Sequence, residues 1–316
     1  MIFPKDLGEN VQLIELFDLG MEQRTGSYVL LEDEITVIET SASPSIAYLL
    51  EGLEYLNISL AEIKYIVVTH IHLDHAGGVG LLLEKCPNAK VIVHPRGKRH
   101  LIDPTRLIAG AKAVYGNQFN RLFDPILPVP EERLLTKEDG DILQISNNRT
   151  LTFFDTPGHA KHHFSIYDSY SNGIFTGDTI GVYYPYTKAY GFEFVLPSTS
   201  PNQFDPNAML ESINRIERLN MAKIYFGHYG KSDNPSYIIE QIRYWLPKFV
   251  EAGEKVIEAN PSESFEAKTA LLTDKLNKMV RAFLKDKGID DSHNVYKHIQ
   301  IDMPICSMGI VDYLSK

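Results

Sequence analysis

Four side chains of metal-ligand type occur within the segment VVTHIHLDHAGGVG, which spans residues 67–80; they are His70, His72, Asp74 and His75. Three further candidates follow later in the chain, each directly after an apolar run and beside a glycine: His159 in FFDTPGH, Asp178 in IFTGD and His228 in IYFGH. Imidazole and carboxylate groups without thiolate suit zinc, iron or manganese. The residues alone therefore predict a metal site, and they leave open whether it holds one ion or two.

The elements that must position these side chains are strands ending at one edge of a sheet. The run IKYIVVT, residues 63–69, is almost continuously apolar, which is typical of a strand buried on both faces. The segments TLTFFDTPGH, NGIFTGD and KIYFGHYG also read as strands that end in a candidate ligand. Since such side chains meet at a common edge in α/β proteins, we expect all the candidates to lie close together.

The remaining sequence indicates an α/β core followed by a helical extension. Strands and helices alternate over residues 1–234, with a predicted helical insert at about 96–122. Residues 235–316 carry amphipathic helices, which we expect to pack on the core. Their apolar stripes are also compatible with a homodimer interface. The predicted organisation is thus a catalytic domain, residues 1–234, with a C-terminal helical extension.

The motif order THIHLDH, TPGH, GD and GH resembles the metallo-β-lactamase fold superfamily and, within it, the glyoxalase II-like metallohydrolases. The resemblance covers roughly residues 10–230. It implies an α/β fold of the αββα four-layer sandwich type, in which helices flank two β-sheets and metal ions lie at one edge.

The same resemblance implies two metal sites that share one carboxylate. The first ion would be held by His70, His72 and His159. The second would be held by Asp74, His75 and His228, and Asp178 would bridge the two ions. The implied cofactors are two divalent metal ions, with zinc favoured and iron or manganese also compatible.

The charges of such a centre explain what it could do. Two divalent ions, two aspartates and a bridging hydroxide sum to about +1, which favours ionisation of water near neutral pH and polarises a carbonyl or phosphoryl oxygen. The implied nucleophile is the bridging hydroxide. Asp74 is the predicted catalytic residue, because it would orient the hydroxide and pass its proton to the leaving group.

Several aromatic side chains near these motifs are predicted to bind substrate. Residues 181–204 form a long segment rich in aromatic residues and proline, and such segments are often functional. The candidates for lining an apolar pocket or donating a hydrogen bond to an oxyanion are Tyr183, Tyr184, Tyr186, Tyr229 and His163.

The predicted function is a dinuclear metal-dependent hydrolase that acts on a small ester, thioester or lactone-type substrate. Acyl-homoserine lactonases of the superfamily often have tyrosine three residues after the bridging aspartate, whereas this chain has Gly181. One alternative is a mononuclear iron persulfide dioxygenase, whose ligands would correspond to His70, His159 and Asp178. A second alternative is a non-hydrolytic binding or regulatory protein on the same fold.

Composition narrows the class of partner. The formal net charge is −10, and this acidic balance disfavours a nucleic-acid groove. No apolar stretch is long enough to span a membrane, and we expect a cytoplasmic protein whose partner is a small-molecule substrate. Cys86 and Cys306 are too few to form a disulfide framework or a thiolate metal motif.

Overall fold

The computed structural model describes residues 2–316, which form two compact units. The first unit comprises the described chain up to Asp155 together with His162–Gly177 and Met221–Asp233. The second comprises Thr156–Lys161, Asp178–Asn220 and Asn234–Lys316. Because the units interleave along the sequence, the division at residue 234 into a catalytic domain and an extension stays a prediction.

The strands are short. They are β1 (Lys5–Asp6), β2 (Val11–Glu15), β3 (Gly26–Leu30), β4 (Ile35–Ile38), β5 (Ile63–Val67), β6 (Lys90–Val93), β7 (Leu134–Thr136), β8 (Ile142–Ser146), β9 (Arg149–Asp155), β10 (Phe164–Asp168), β11 (Gly173–Phe175), β12 (Val182–Tyr183), β13 (Val195–Leu196), β14 (Lys223–Tyr225) and β15 (Lys231–Ser232).

The helices flank these strands in sequence. They are α1 (Ile46–Tyr55), α2 (Leu73–Ala76), α3 (Val79–Lys85), α4 (Pro95–Ile102), α5 (Thr105–Tyr115), α6 (Phe119–Phe123), α7 (Pro206–Glu217), α8 (Pro235–Ala259), α9 (Phe265–Asp286) and α10 (Val295–Leu314). Helices α4 to α6 lie where the helical insert was predicted, at about residues 96–122.

Two sheets form the sandwich of the first unit. One sheet has the order β1-β2-β3-β4-β5-β6-β7, and β4 to β7 are parallel. The other has the order β15-β14-β11-β10-β9-β8, in which only β11 and β14 are parallel neighbours. Apolar side chains from both sheets, including Tyr28, Val67, Phe153 and Phe175, pack between them in one core.

The strand before the histidine cluster is buried on both faces at its C-terminal end, as predicted, whereas Lys64 near its start is exposed. Val67 of β5 belongs to the core between the sheets. Ile66 and Val68 belong to a second core that the sheet shares with α1 and α3. This alternation fixes the register of β5, because a slip by one residue would exchange its two faces. A fixed register in turn determines where the residues after Val68 emerge.

The second unit contains the small hairpin of β12 and β13 and the helices α7 to α10. The predicted helices after residue 234 are confirmed as α8 and α9, which bury Ile239, Ile242, Leu272 and Leu276. The predicted helical extension over residues 235–316 includes α10, but the sequence pattern did not identify it as a separate helix. Its buried residues surround much of the helix rather than forming a single stripe, and Pro304 lies within it, so its pattern is not that of an amphipathic helix.

Candidate metal centre

The loop and short helix after β5 bring three predicted ligands into direct contact. His70 Nε2 lies 3.1 Å from His72 Nδ1, and the rings of His70 and His75 are 4.1 Å apart between centroids. Nitrogen ligands of one tetrahedral zinc ion lie about 3.3 Å apart, given Zn–N bonds of about 2.0–2.1 Å. The spacing of His70 and His72 therefore fits two ligands of a common ion.

The predicted second ligand set also meets in the first unit. Asp74, His75 and His228 each offer a ligand atom, and these atoms all lie within 4.8 Å of one another. Asp74 and His75 lie in α2, and His228 follows β14. The side chain of Asp74 is 27% exposed, whereas that of His228 is 4% exposed. Asp74 is thus the member of this set that solvent reaches most easily.

The two remaining predicted ligands, His159 and Asp178, lie together in the second unit. His159 Nε2 is 3.5 Å from Asp178 Oδ2 and 3.5 Å from the hydroxyl of Ser200. Ser198 contacts both ligands: its carbonyl lies 3.0 Å from His159 Nδ1, and its hydroxyl donates to Asp178 Oδ2 at 2.8 Å. Sequence reasoning missed Ser198.

The hydrogen bonds of the histidines show that the residues present fit metal ions. A carbonyl can only accept, so Nδ1 of His159 must donate to Ser198, and Nδ1 of His228 must donate to the Arg24 carbonyl at 3.3 Å. In the neutral form each ring then carries its lone pair on Nε2. Metal-binding histidines are usually held in this way, with the second nitrogen donating to a protein acceptor.

Glu39 supports His75 in a similar manner, and sequence reasoning missed it. Its Oε2 lies 3.3 Å from His75 Nδ1. Its Oε1 accepts the backbone N–H of Thr69 at 3.1 Å. The Glu39 side chain is 4% exposed, and its φ of 69° is unusual for a residue other than glycine. The carboxylate thus links the end of β5 to a ligand.

We expect Glu39→Gln to weaken metal binding about tenfold or more, because loss of such a supporting partner typically costs 10–100-fold. Chelator competition with Zn²⁺ measures the change. The matched control is Glu34→Gln, which removes a carboxylate that pairs with Lys64 at 3.7 Å, away from the histidines. Equal Zn²⁺ affinity in Glu39→Gln and the wild type would contradict this role.

Two glycines allow the close approach that the ligands need. A Cβ on Gly227, next to His228, would lie 2.7 Å from Cε1 of His75. A Cβ on Gly177, next to Asp178, would lie 2.4 Å from Thr69 Oγ1 and 2.5 Å from His163 Nε2. The glycines in the GD and GH motifs are therefore explained by packing against the histidine cluster.

A buried carboxylate lies near the second ligand set. Burial raises the pKa of Asp18 to about 6, and the nearby Arg24 guanidinium and His228 counteract part of that effect. Residues 17–24 have an irregular backbone, with positive φ at Phe17 and Leu19. This loop matters to the centre because it supplies the Arg24 carbonyl that accepts from His228.

The predicted substrate-binding residues have different surroundings. Tyr183 and Tyr184 are buried, and their phenols donate to Glu193 at 2.6 Å and to Asp302 at 2.7 Å. Tyr186 packs against His293 and His298. In the first unit, Tyr229 packs beside the core between the sheets, and the buried His163 lies 4.9 Å from His70 between ring centroids. Their roles in substrate binding stay predictions.

Comparisons with known proteins agree on the fold. The sequence model of the Metallo-beta-lactamase superfamily matches residues 22–228. Metallo-beta-lactamase fold-containing protein ST1585 of Sulfurisphaera tokodaii is 28% identical over 225 residues, which are 70% of this chain and 78% of that protein. The solved structure of TTHA1429 from Thermus thermophilus, a metallo-beta-lactamase family protein, has a TM-score of 0.68 at 17% identity and covers 98% of this chain and 94% of its own.

A named enzyme is also among the similar proteins. N-acyl homoserine lactonase AttM of Rhizobium radiobacter is 26% identical over 181 residues, which are 56% of this chain and 62% of the lactonase. The predicted fold class is confirmed by these matches. Among the described residues, no helix has both the length and the apolar character that crossing a bilayer would require.

Proposed function

Because the chain belongs to the metallo-beta-lactamase superfamily, we propose that it is a metallohydrolase with two metal ions that cleaves a small ester, thioester or lactone. The observation that carries the proposal is the ligand set itself. Asp74, His75 and His228 present ligand atoms within 4.8 Å of one another, in addition to the His70–His72 pair at 3.1 Å. A single ion does not need so many donors, since zinc in catalytic sites has three protein ligands.

We propose that His159 and Asp178 complete the two sites, with Asp178 as the bridging carboxylate. The course of the chain supports this. Asp178 directly follows Gly177, whose Cα hydrogens face Thr69 and His163. His159 precedes His162 by three residues, and the ring of His162 stacks on that of His70 at 6.3 Å. Along the sequence, Asp178 and His159 therefore lie one and three residues from residues that contact the histidine cluster.

When bound, two divalent ions would lower the pKa of water and polarise the substrate carbonyl. The protein's own part in the reaction is the placement and transfer of protons. Asp74 is the candidate for moving the proton from the attacking water to the leaving group, because it is a carboxylate of the second ligand set and its side chain is 27% exposed. The buried histidines hold their orientation through Glu39 and the Arg24 carbonyl. We propose zinc as the native metal.

The chemistry of the centre and one similar enzyme support the proposed substrate class. AttM is named for lactone hydrolysis, and it supports a lactone as one member of the proposed class. The tyrosine found in many such lactonases has no equivalent here, because Gly181 has a φ of 82° and a Cβ there would lie 2.1 Å from the Leu196 carbonyl oxygen. A lactone substrate would therefore need a different donor for its carbonyl oxygen.

A substrate panel tests the proposal. Metal-replete protein is assayed on aliphatic and aryl esters, thioesters and acyl-homoserine lactones, with a phosphodiester as the comparison substrate. We expect hydrolysis of a carbonyl substrate that is abolished by chelator and restored by Zn²⁺. Absence of hydrolysis across the carbonyl substrates, with the metal sites filled, would contradict the proposal and favour a binding or regulatory role.

A further inference from the structure

The segment that touches both His159 and Asp178 is itself held by the C-terminal helix α10. Within this segment, residues 197–200, the Thr199 hydroxyl donates to the Cys306 carbonyl at 2.9 Å. The Cys306 thiol donates to the Pro197 carbonyl at 3.4 Å. Thr199 is fully buried, so these bonds have no competition from water. The segment therefore depends on α10 for its position.

The helix backbone approaches the segment closely at one residue. A Cβ on Gly309 would lie 1.8 Å from the carbonyl oxygen of Thr199, so no other residue fits there without movement of the backbone. Further along, Tyr313 packs against Phe204 at 5.7 Å between ring centroids, and Lys316 donates to the Asn202 carbonyl at 3.1 Å. The last third of α10 thus runs beside the chain that follows the segment.

The helix α10 packs closely against α8 and α9. A Cβ on Gly253 of α8 would lie 2.4 Å from Ile310, which shows how closely α8 and α10 pack. Leu272 of α9 and Ile310 of α10 are fully buried. A helix packed in this way moves little, so it holds the segment that it contacts, residues 197–200, in a fixed position.

We propose that α10 positions the metal centre through residues 197–200, and that Ser198 is the positioning residue. Its carbonyl fixes the tautomer of His159 with Nε2 available, and its hydroxyl occupies one acceptor site of Asp178 Oδ2 and so fixes the rotation of the carboxylate. One residue thereby sets the orientation of two ligands at once. This inference rests on the proposed metal centre.

The first test is the Zn²⁺ affinity of Ser198→Ala, measured by chelator competition on the full chain. Loss of the hydroxyl should weaken binding of one ion about 10–100-fold, the usual effect of removing such a partner. Ser198→Thr keeps a hydroxyl and should restore most of the affinity. The control is Ser307→Ala on α10, since this buried hydroxyl has no hydrogen-bond partner among the described residues.

The second test concerns the helix. Gly309→Ala should displace residues 197–200 and change the visible absorption spectrum of the Co²⁺-loaded protein, whereas Ser307→Ala should leave that spectrum unchanged. If Gly309→Ala does not fold, the Co²⁺ spectrum and Zn²⁺ affinity of Ser198→Ala still test the inference. A wild-type chain that binds two ions, with Ser198→Ala matching it in affinity and spectrum, overturns this inference alone. A wild-type chain that binds no metal overturns the proposed function and this inference with it.

Discussion

Asp178→Ala is expected to lose at least one of two bound metal ions and most of the hydrolytic activity. The carboxylate is 4% exposed and lies 3.5 Å from His159 Nε2, which places it among ligands rather than on the surface. Removal of a partner that only supports a ligand costs about 10–100-fold in metal affinity or activity. Loss of the carboxylate proposed to bind both ions should therefore exceed 100-fold. Elemental analysis of the purified protein gives the metal content directly.

The matched control is Asp290→Ala, which removes an exposed aspartate that accepts a hydrogen bond from Ser292. It should retain the wild-type metal content and activity. Two ions per chain in Asp178→Ala would contradict the bridging role, even if activity fell. Circular dichroism of both variants separates loss of metal from loss of fold.

Arg149→Ala is expected to destabilise the protein by about 3–5 kcal/mol, the usual cost of leaving a buried charge without its partner. The Arg149 side chain is fully buried. Its Nε donates to Asp168 Oδ1 at 2.8 Å, and its Nη1 donates to the Glu9 carbonyl at 2.7 Å. Nη1 also lies 3.1 Å from Glu32. Removal of the guanidinium leaves the buried Asp168 carboxylate without its positively charged partner. Urea unfolding measures the change.

A double variant distinguishes loss of the ion pair from loss of packing. Arg149→Met combined with Asp168→Leu removes both charges and fills similar space, so it should be much less destabilising than the single variant. Lys255→Ala, which breaks an exposed ion pair with Glu251, should change stability far less. A free energy of unfolding for Arg149→Ala within 1 kcal/mol of the wild type would contradict the expectation.

The sequence predicted those parts of the fold and site that depend on local pattern. The apolar run before His70 predicted a strand with two buried faces, and β5 has this form. The candidate ligands at strand ends were identified because each follows an apolar run and has glycine beside it. Their order along the chain predicted the family, and Asp74, His75 and His228 do meet in space.

The supporting residues could not be predicted because their function depends on tertiary contacts. Glu39 is an ordinary acidic residue after a strand, and only the fold places it beside His75, 36 positions later. Ser198 lies in a serine-, threonine- and proline-rich segment that reads as a loop, and it contacts His159 from 39 positions away. The helix α10 has Pro304 in its interior and no single apolar stripe, so periodicity does not reveal it.

Metal content combined with oxygen uptake tests the central claim most directly. The full chain as purified is analysed for the number and kind of ions bound, and the same preparation is given a persulfide in an oxygen electrode. If the protein is a two-metal hydrolase, we expect two divalent ions per chain, no oxygen uptake and hydrolysis of a carbonyl substrate. A single iron per chain with persulfide-dependent oxygen uptake would contradict the claim and identify a dioxygenase instead.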